Sequence, residues 1–339
     1  MKLRPLSAVP KSHLLSQACT LPDGRTLSYA EYGDPNGYPL MFFHGYPSCR
    51  LEAWFLDPIV QRKGIRLIAP DRPGFGRSTF VHNRQLTDYP SDIRALADHM
   101  GLEKFAVLGG SGGGPYAVAC AKDLPGRLSA VGLMASAGPW AVEGDPGAEK
   151  GLMKDVRATT KFWAGAIRRA PGVTSLVTKF VVGTAKWLFS QQWFVNWADK
   201  RIRREDAEDL SKDGNVEGKQ VYNVNQGDRQ RMDKEGVPGP GEQLAHAFKE
   251  TFHQGTAATM QEATLLFSPW GFEVSTILYD KIQIWHGTKD INAPLSQIKY
   301  VVERLPHCEL KTYEVDHFGL VKHIETIMDG LITETVRRN

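Results

Sequence analysis

Short apolar segments alternate with helical patterns along the first 136 residues of the chain. Four of these segments predict buried strands, at 40–43, 65–69, 105–108 and 128–134. Residues 26–32 alternate between apolar and polar side chains, which predicts an additional strand that is half-exposed. Between the strands, apolar residues recur at helical spacing. Strands that alternate with helices are typical of an α/β fold, in which a mostly parallel twisted sheet is covered by helices on both faces.

The pattern changes in the middle of the chain, where helical segments and loops take the place of strand signals. Strand signals resume at 282–285 and 310–313, and an amphipathic helix over 322–336 closes the chain. We therefore predict a helical insertion between two parts of one sheet. The predicted organisation is an N-terminal tail at 1–19, a core at 20–136 and 268–339, and a helical cap at 137–267.

The composition is that of an ordinary folded protein, with 42% hydrophobic and 23% charged residues in a chain of 339. The formal net charge of +3 is small for this length, which argues against a nucleic-acid-binding protein with a concentrated basic surface. The four cysteines are scattered and show neither the spacing of zinc ligands nor that of a disulfide framework. We therefore expect no metal site and no nucleic-acid partner.

The sequence also bears on the location of the protein. No apolar run is long enough to cross a bilayer, so we expect no stable membrane insertion. Residues 1–22 contain three cations and no acid, as a mitochondrial presequence does, but a disordered or draped tail is the simpler explanation. The predicted location is the cytoplasm, with the mitochondrion as the alternative. A homodimer is left open as the state of assembly.

The segment from Gly109 to Gly113 matches the pattern G-x-S-x-G, with Ser111 at its centre. It lies between a predicted buried strand and a predicted helix, which is the context of a nucleophile elbow. Such a sharp turn strains the backbone of the serine and tolerates only small neighbours. The alternatives are an ordinary glycine-rich turn and a phosphate loop, but the Gly-Lys-Ser/Thr ending of a nucleotide loop is absent. Ser111 is therefore the candidate nucleophile.

Two residues beyond the predicted cap supply the partners that such a serine needs. A serine hydroxyl requires an adjacent base, and the base requires a third group that orients it. Asp290 follows the predicted strand at 282–285, and His317 follows the last predicted strand. The order Ser111, Asp290, His317 predicts a nucleophile, an orienting acid and a general base.

Other acids and histidines compete for these two roles. Asp316 is the neighbour of His317, but adjacent side chains in an extended segment point apart, so it is a poor orienting group. Glu143 and Asp145 follow an earlier strand and are the alternative positions for the acid. We expect His44 and His286, which lie in glycine turns, to form hydrogen bonds within the scaffold, and contact with the site is the alternative for His44.

These residues, in this order, resemble those of the α/β-hydrolase superfamily. The resemblance covers the predicted core, whereas the insertion resembles only a generic helical cap. His44, Gly45, Tyr46 and Pro47 are similar to the HGxP turn of the family. The resemblance implies that the backbone N–H groups of Tyr46 and Gly112 form an oxyanion hole, and we expect His44 and Gly45 to contact the substrate.

Two features of the elbow narrow the activity that the resemblance implies. Relatives that hydrolyse epoxides or haloalkanes have aspartate where this chain has Ser111, so those activities are not expected. Proline iminopeptidases typically have tryptophan where this chain has Gly112, which argues against a peptidase. A further similar stretch, residues 71–78, is interpreted as a structural turn.

The predicted cap is rich in aromatic residues, mainly between 162 and 197. In similar enzymes a cap shapes the substrate pocket, so we predict an apolar, enclosed pocket with Trp163 and Trp187 as substrate-binding residues. The alternative is that the aromatic residues form the core of the cap itself. Residues 177–197 are amphipathic and contain two lysines, which also fits contact with a membrane surface, although a cap helix explains the pattern equally well.

The leading functional hypothesis is hydrolysis of a carboxylic ester or lactone of a hydrophobic small molecule through an acyl-enzyme, with no cofactor. A second hypothesis keeps the site and changes the reaction, to a natural-product enzyme acting as a C–C bond hydrolase, lyase, cyclase or acyltransferase. A third is a ligand-binding receptor on the same scaffold. Comparing product formation with and without water as the acyl acceptor would separate the first two.

Overall fold

The computed structural model describes residues 12–142, 146–212 and 238–338. Every strand predicted from the apolar pattern is present. In chain order the strands are β1 (Gln17–Thr20), β2 (Thr26–Gly33), β3 (Tyr38–Phe43), β4 (Ile65–Pro70), β5 (Phe105–Gly110), β6 (Leu128–Met134), β7 (Ile282–Gly287) and β8 (Cys308–Tyr313).

Helices connect the strands of the core and fill the insertion. The core helices are α1 (Asp57–Arg62), α2 (Tyr89–His99), α3 (Gly114–Asp123), α10 (Leu295–Val302) and α11 (Ile324–Arg338). The helices between β6 and β7 are α4 (Pro146–Met153), α5 (Ala158–Arg169), α6 (Pro171–Leu188), α7 (Gln192–Lys212), α8 (Pro240–Thr251) and α9 (Ala257–Leu266). We call this inserted set the cap.

The eight strands of the described residues form one sheet in the order β1-β2-β4-β3-β5-β6-β7-β8. Strand β2 runs antiparallel to both β1 and β4. From β4 to β8 all neighbouring strands are parallel, so β3, β5, β7 and β8 end at the same edge of the sheet. Loops at this edge carry the site in open α/β sheets. The predicted fold class is confirmed.

The sheet has an apolar core on each face, as its parallel part requires. Along β5, Phe105 and Val107 belong to one buried cluster, while Ala106 and Leu108 belong to the other. The alternation arises because successive side chains of a strand point to opposite faces. Strand β5, which precedes the elbow, is therefore fixed from both sides.

Two predictions for the N-terminal part of the chain are wrong. Strand β2 is buried over most of its length instead of half-exposed, because α1 and the 3-10 helices Ser12–Leu15 and Arg50–Leu56 pack on it. The boundary of the predicted tail at residue 19 is also corrected, because β1 pairs with β2 along all four of its residues. The four-residue β1 is too short to show a periodic pattern. Residues 1–11 lie outside the described residues.

A buried ionic cluster joins the cap to the core. Glu262 of α9 has no exposed side-chain surface and forms ion pairs with Arg72, at 2.9 Å, and with Arg84. The Tyr116 hydroxyl donates to the same carboxylate at 2.8 Å. Burial alone would raise the pKa of Glu262, but the two guanidinium groups and the Tyr116 hydroxyl lower it below its usual value. Residues of the 71–78 turn thus anchor the last cap helix.

A second ion-pair group ties α8 to the same turn. Arg50 is buried and pairs with Asp71 at 2.7 Å and with Glu250 of α8 at 2.6 Å. Glu250 also accepts a hydrogen bond from Arg77 at 2.7 Å. The sequence-based interpretation of residues 71–78 as a structural turn agrees with these contacts.

Among the helices of residues 12–142, 146–212 and 238–338, none has both the length and the apolar character needed to cross a bilayer.

Candidate active site

Ser111 follows directly on the end of β5 in a tight turn. Its φ is +50°, in the left-handed region that residues with a side chain seldom adopt. The turn continues as the 3-10 helix Ser111–Gly113 and then as α3. A Cβ at Gly113 would lie 2.1 Å from the carbonyl oxygen of Phe43, so only glycine fits there. This strained strand-turn-helix unit holds the hydroxyl at the carboxyl edge of the sheet.

The structure brings Ser111, His317 and Asp290 into one hydrogen-bonded row. His317 Nε2 lies 3.0 Å from Ser111 Oγ, and His317 Nδ1 lies 2.7 Å from Asp290 Oδ2. With Nδ1–H donating to the carboxylate, Nε2 is left to accept the serine proton. The Asp290 side chain is fully buried, whereas the imidazole is partly exposed, as a group that must reach a substrate has to be.

Two loops at the carboxyl edge hold the acid and the histidine. Asp290 follows β7, and its Oδ1 accepts the backbone N–H groups of Asn292 and Ala293, each at 2.9 Å. His317 follows β8, and the two loops are joined by a 3.0 Å hydrogen bond from the Lys289 N–H to the Val315 carbonyl. Because β7 and β8 are parallel neighbours, the two side chains meet although they are 27 positions apart.

Asp316, the alternative acid beside His317, does not share this geometry. The Asp316 carboxylate accepts the backbone N–H of Gly319 at 2.7 Å and so stabilises the next turn. Glu143 and Asp145 lie outside the described residues.

The other histidines near this edge have structural contacts. His286 is buried, and its Nε2 is 2.8 Å from the Ala293 carbonyl oxygen, as the scaffold interpretation predicts. Burial lowers the pKa of His286, so it is neutral and Nε2–H donates to that carbonyl. His323 stacks on Tyr313 with 4.0 Å between the ring centroids.

The predicted oxyanion donors lie on two chain segments that touch. A Cβ added to Gly112 would be 2.7 Å from the Tyr46 Cβ and 3.3 Å from its backbone nitrogen. The Tyr46 hydroxyl donates to the Thr259 carbonyl of α9 at 2.9 Å, which fixes the turn against the cap. The backbone nitrogen of Tyr46 therefore lies close to Gly112, the residue that follows the serine.

His44 forms hydrogen bonds within the scaffold, as one of the two expectations states, and the expectation that it contacts the substrate is wrong. Its imidazole is fully buried, with Nδ1 2.9 Å from the Gly45 carbonyl oxygen and Nε2 accepting the Arg72 backbone N–H at 3.2 Å. Burial, reinforced by the positive charge of Arg72, holds the pKa of His44 well below its usual value. Both ring nitrogens are used, so His44 shapes the turn. Gly45 does border the site, because a Cβ there would be 3.4 Å from the Ser111 Cβ.

A carboxylate that the sequence analysis missed, Glu52, also borders the site. Its two oxygens accept the Gly45 N–H at 3.1 and 3.0 Å. Burial raises the pKa of Glu52, an effect that hydrogen bonds from Ser48 and the Gly45 N–H and the positive charge of Arg72 partly offset. Glu52 lies in a 3-10 helix, seven positions after Gly45, and no motif pointed to it.

The predicted placement of Trp163 and Trp187 in an enclosed pocket is wrong. Both side chains are exposed, Trp163 to 43% and Trp187 to 60%. Trp187 faces a shallow surface depression, which it lines together with Lys179 and Phe180. Helical spacing indicates which residues share a face, but it does not indicate which face packs inward.

Among the described residues, no group of three or more histidine, cysteine, aspartate or glutamate side chains is arranged to hold a metal ion.

Part of the chain is similar in sequence to known proteins. The chain is 37% identical to a non-heme haloperoxidase of Rhodococcus erythropolis over 128 residues. That match covers 37% of this chain and 45% of the relative, so the chain spans less than half of the relative's length.

Two solved structures are similar over almost the whole chain. A carboxylesterase of Nitrososphaera gargenis matches with a TM-score of 0.58 at 16% identity, over 95% of this chain and 100% of its own. An enol-lactonase of Burkholderia xenovorans LB400 matches with a TM-score of 0.57 at 14% identity, over 95% of this chain and 100% of its own. At these identities the likeness shows the fold. A family model described as the alpha/beta hydrolase fold matches residues 38–323. The chain therefore belongs to the α/β-hydrolase family.

Proposed function

We propose that the protein is a serine hydrolase that cleaves a carboxylic ester or lactone of a hydrophobic small molecule through an acyl-enzyme. The observation that carries the proposal is the hydrogen-bonded row of Ser111, His317 and Asp290 beside the Gly112 and Tyr46 backbone. The names of the two solved neighbours, a carboxylesterase and an enol-lactonase, are compatible with this chemistry.

In the first half of the reaction, Ser111 Oγ attacks the carbonyl carbon while its proton passes to His317 Nε2. The carbonyl π electrons move onto the oxygen, which becomes an oxyanion bound by the backbone N–H groups of Gly112 and Tyr46. Each such donor contributes about 3 kcal/mol to stabilising the transition state. Asp290 keeps the imidazole oriented and stabilises its cationic form. Collapse of the intermediate breaks the bond to the alkoxy oxygen, which leaves with the proton from His317.

The second half of the reaction releases the acid. Water gives a proton to His317 and attacks the acyl carbon, forming a second oxyanion in the same place. When this intermediate collapses, Ser111 Oγ leaves and recovers its proton from the imidazole. In a lactone the alcohol and the acid are parts of one molecule, so the same steps open the ring.

Apolar side chains around the row support a hydrophobic substrate. A Cβ at Gly112 would lie 3.3 Å from a methyl group of Leu266, which belongs to cap helix α9. The ring of Phe318 is largely exposed and meets the edge of His317 with 5.2 Å between centroids. These groups offer an apolar surface next to the scissile bond.

We also propose a cytoplasmic location. Cys19, Cys49 and Cys120 are buried, unpaired thiols, which suits a reducing compartment. Activity-based labelling of fractionated cells should then detect the protein in the cytoplasm, including material bound to the cytoplasmic face of membranes.

Labelling with a fluorophosphonate tests the proposed nucleophile. Wild type should react because the probe carries an electrophilic phosphorus that an activated serine attacks. Ser111→Ala should not label, and His317→Ala should label about 10³-fold more slowly because the base is lost. The measurement is the rate of covalent labelling, followed by turnover of aryl esters and lactones of increasing acyl length.

Two variants serve as matched controls. Ser190→Ala and His323→Ala remove a hydroxyl and an imidazole that lie outside the row and should leave the labelling rate unchanged. Circular dichroism checks that every variant is folded. A folded wild type that resists the probe, or Ser111→Ala that labels at the wild-type rate, would refute the proposed nucleophile.

A further inference from the structure

Helix α6 in the cap presents its apolar side chains outward. Val173, Leu176, Val177, Phe180 and Val181 follow the i, i+3, i+4, i+7, i+8 spacing of a single helix face, and all are exposed. Phe180 is exposed to 76%. Trp187 extends the same face, two turns after Phe180. We call these six residues the aromatic face.

The opposite side of α6, which packs against the protein, is the more polar one. Thr174 is buried, and Thr178 donates hydrogen bonds to the Thr174 carbonyl and to the Met260 sulfur of α9. A helix at the surface of a globular protein normally has the reverse arrangement, with its apolar face inward. An exposed apolar face of this size marks a surface that contacts something else.

The cap helices that precede and follow α6 in the chain also carry exposed indole rings. Trp163 of α5 and Trp193 and Trp197 of α7 are exposed, whereas Trp140 and Trp285 outside these helices are buried. Helix α5 packs directly against α6. Tryptophan has an apolar body and a polar N–H group, a combination that is favoured at the boundary between lipid and water.

The charge of this region is of one sign. From residue 156 to residue 198 the chain contains no aspartate or glutamate and six cations: Arg157, Lys161, Arg168, Arg169, Lys179 and Lys186. Lys179 lines the surface depression beside Phe180 and Trp187. A surface that combines apolar side chains with cations complements a partner that is both apolar and negatively charged.

We propose that the aromatic face docks on the surface of a bilayer that contains anionic lipids. The apolar side chains enter the boundary between headgroups and acyl chains, and cations such as Arg169 and Lys179 contact the lipid phosphates and carboxylates. Binding is peripheral, since the described helices do not cross the membrane. The proposal does not depend on the hydrolytic function, because it concerns where the cap binds.

A second copy of the chain is the less favourable partner for this surface. In a symmetric dimer the same patch faces itself, which would place the acid-free segment of one protomer against that of the other. Cations would then face cations across the interface, and like charges repel. A bilayer with anionic headgroups removes this conflict.

Vesicle binding of the full-length chain tests the proposal. Wild type should sediment with vesicles of phosphatidylcholine containing 30% phosphatidylserine. It should bind several-fold less at 0.5 M NaCl, because salt screens the lipid charge. Leu176→Ser/Phe180→Ser should lower the partition coefficient at least tenfold, because it removes two apolar side chains from the aromatic face. Arg169→Glu/Lys179→Glu should lower binding to these anionic vesicles and should not change binding to vesicles of phosphatidylcholine alone.

The control is Leu244→Ser/Leu278→Ser, which replaces two exposed apolar side chains outside the aromatic face and should bind like wild type. Aryl-ester turnover in the absence of lipid, where wild type shows it, should be similar in wild type and Leu176→Ser/Phe180→Ser, which reports on folding. The proposal is overturned if wild type binds neither the anionic vesicles nor vesicles of phosphatidylcholine alone. It is overturned as well if the control loses as much binding as Leu176→Ser/Phe180→Ser does. A third result would also overturn it: wild type is a dimer, Leu176→Ser/Phe180→Ser is a monomer, and lipid vesicles bind neither protein.

Discussion

At the scale of single residues, the electrostatic surroundings of His317 extend beyond its two hydrogen-bond partners. The Glu52 carboxylate holds the Gly45 N–H and attracts the positive charge that His317 carries during the reaction. Burial makes that carboxylate costly to ionise, as its raised pKa indicates. Glu52 is therefore interpreted as a positioning residue for the turn and an electrostatic partner of the imidazolium.

Glu52→Gln tests this interpretation. The amide oxygen can still accept the Gly45 N–H, but the negative charge is gone, so proton transfer to His317 becomes less favourable. We expect kcat for an aryl ester to fall by up to about tenfold, the effect of about one pKa unit, with KM nearly unchanged. The pH profile of kcat should also shift relative to wild type. Glu303→Gln, at an exposed position, is the control. Identical pH profiles in wild type and Glu52→Gln would contradict the electrostatic role.

At the scale of secondary-structure elements, a half-buried carboxylate connects a helix to a strand. Asp57 begins α1 and accepts the backbone N–H of Gly33, the last residue of β2, at 2.7 Å. Burial raises the pKa of Asp57 from 3.8 to about 6. The folded state therefore binds this proton more tightly than the unfolded state does.

This shift predicts a pH dependence of stability. Asp57 favours folding below pH 4 and loses that contribution as pH rises through 6, because ionisation is then costlier in the folded state. Asp57→Asn keeps an acceptor for Gly33 and removes the ionisation. We expect it to be about 1–2 kcal/mol more stable than wild type above pH 6, and no more stable below pH 4.

The measurement is urea unfolding at several pH values between 3.5 and 8. Asp155→Asn, which removes an exposed carboxylate, should follow the wild-type curve. If wild type and Asp57→Asn differ by the same amount at every pH, the effect does not come from ionisation and the assignment fails.

At the scale of the whole molecule, the cap and the core are joined through buried charge. Glu262 of α9 lies between Arg72 and Arg84 of the core, and each of these three side chains is almost completely buried. A buried ion pair contributes little compared with an apolar contact of the same size, but loss of one partner leaves the others uncompensated.

Glu262→Gln should therefore destabilise the protein by about 3–5 kcal/mol, since two buried guanidinium groups lose their counter-charge. The free energy of unfolding in urea measures the effect. Glu309→Gln removes a carboxylate that pairs with Lys281 at an exposed position and should cost no more than about 1 kcal/mol. If both variants lose a similar free energy of unfolding, the buried cluster contributes no more to stability than an exposed ion pair does.

The sequence was sufficient for those parts of the molecule that depend on local pattern. The apolar runs predicted every parallel strand. The glycines around Ser111 predicted the elbow, because a side chain at these positions would be too close to neighbouring atoms. The positions of Asp290 and His317 could be predicted because parallel strands end at one edge. That three-residue geometry is now observed, while its catalytic role remains a proposal.

What could not be predicted depends on contacts between distant segments. The sequence leaves two roles open for His44, because it does not show that the backbone N–H of Arg72, 28 positions away, donates to the His44 ring. Glu52 reaches the site only through the packing of its 3-10 helix. The direction in which the apolar face of α6 points is set by how α5 and α9 pack on it, which helical periodicity does not determine.

The side chain of Arg72 connects the turn that contains His44 and Gly45 to the last cap helix, α9. Its guanidinium donates to the carbonyl oxygens of His44 and Gly45 while also pairing with Glu262 of α9. A shift of α9 would pull on the turn that carries the Tyr46 N–H group. Substitutions meant to broaden the range of accepted molecules should therefore leave this arginine and its three partners untouched.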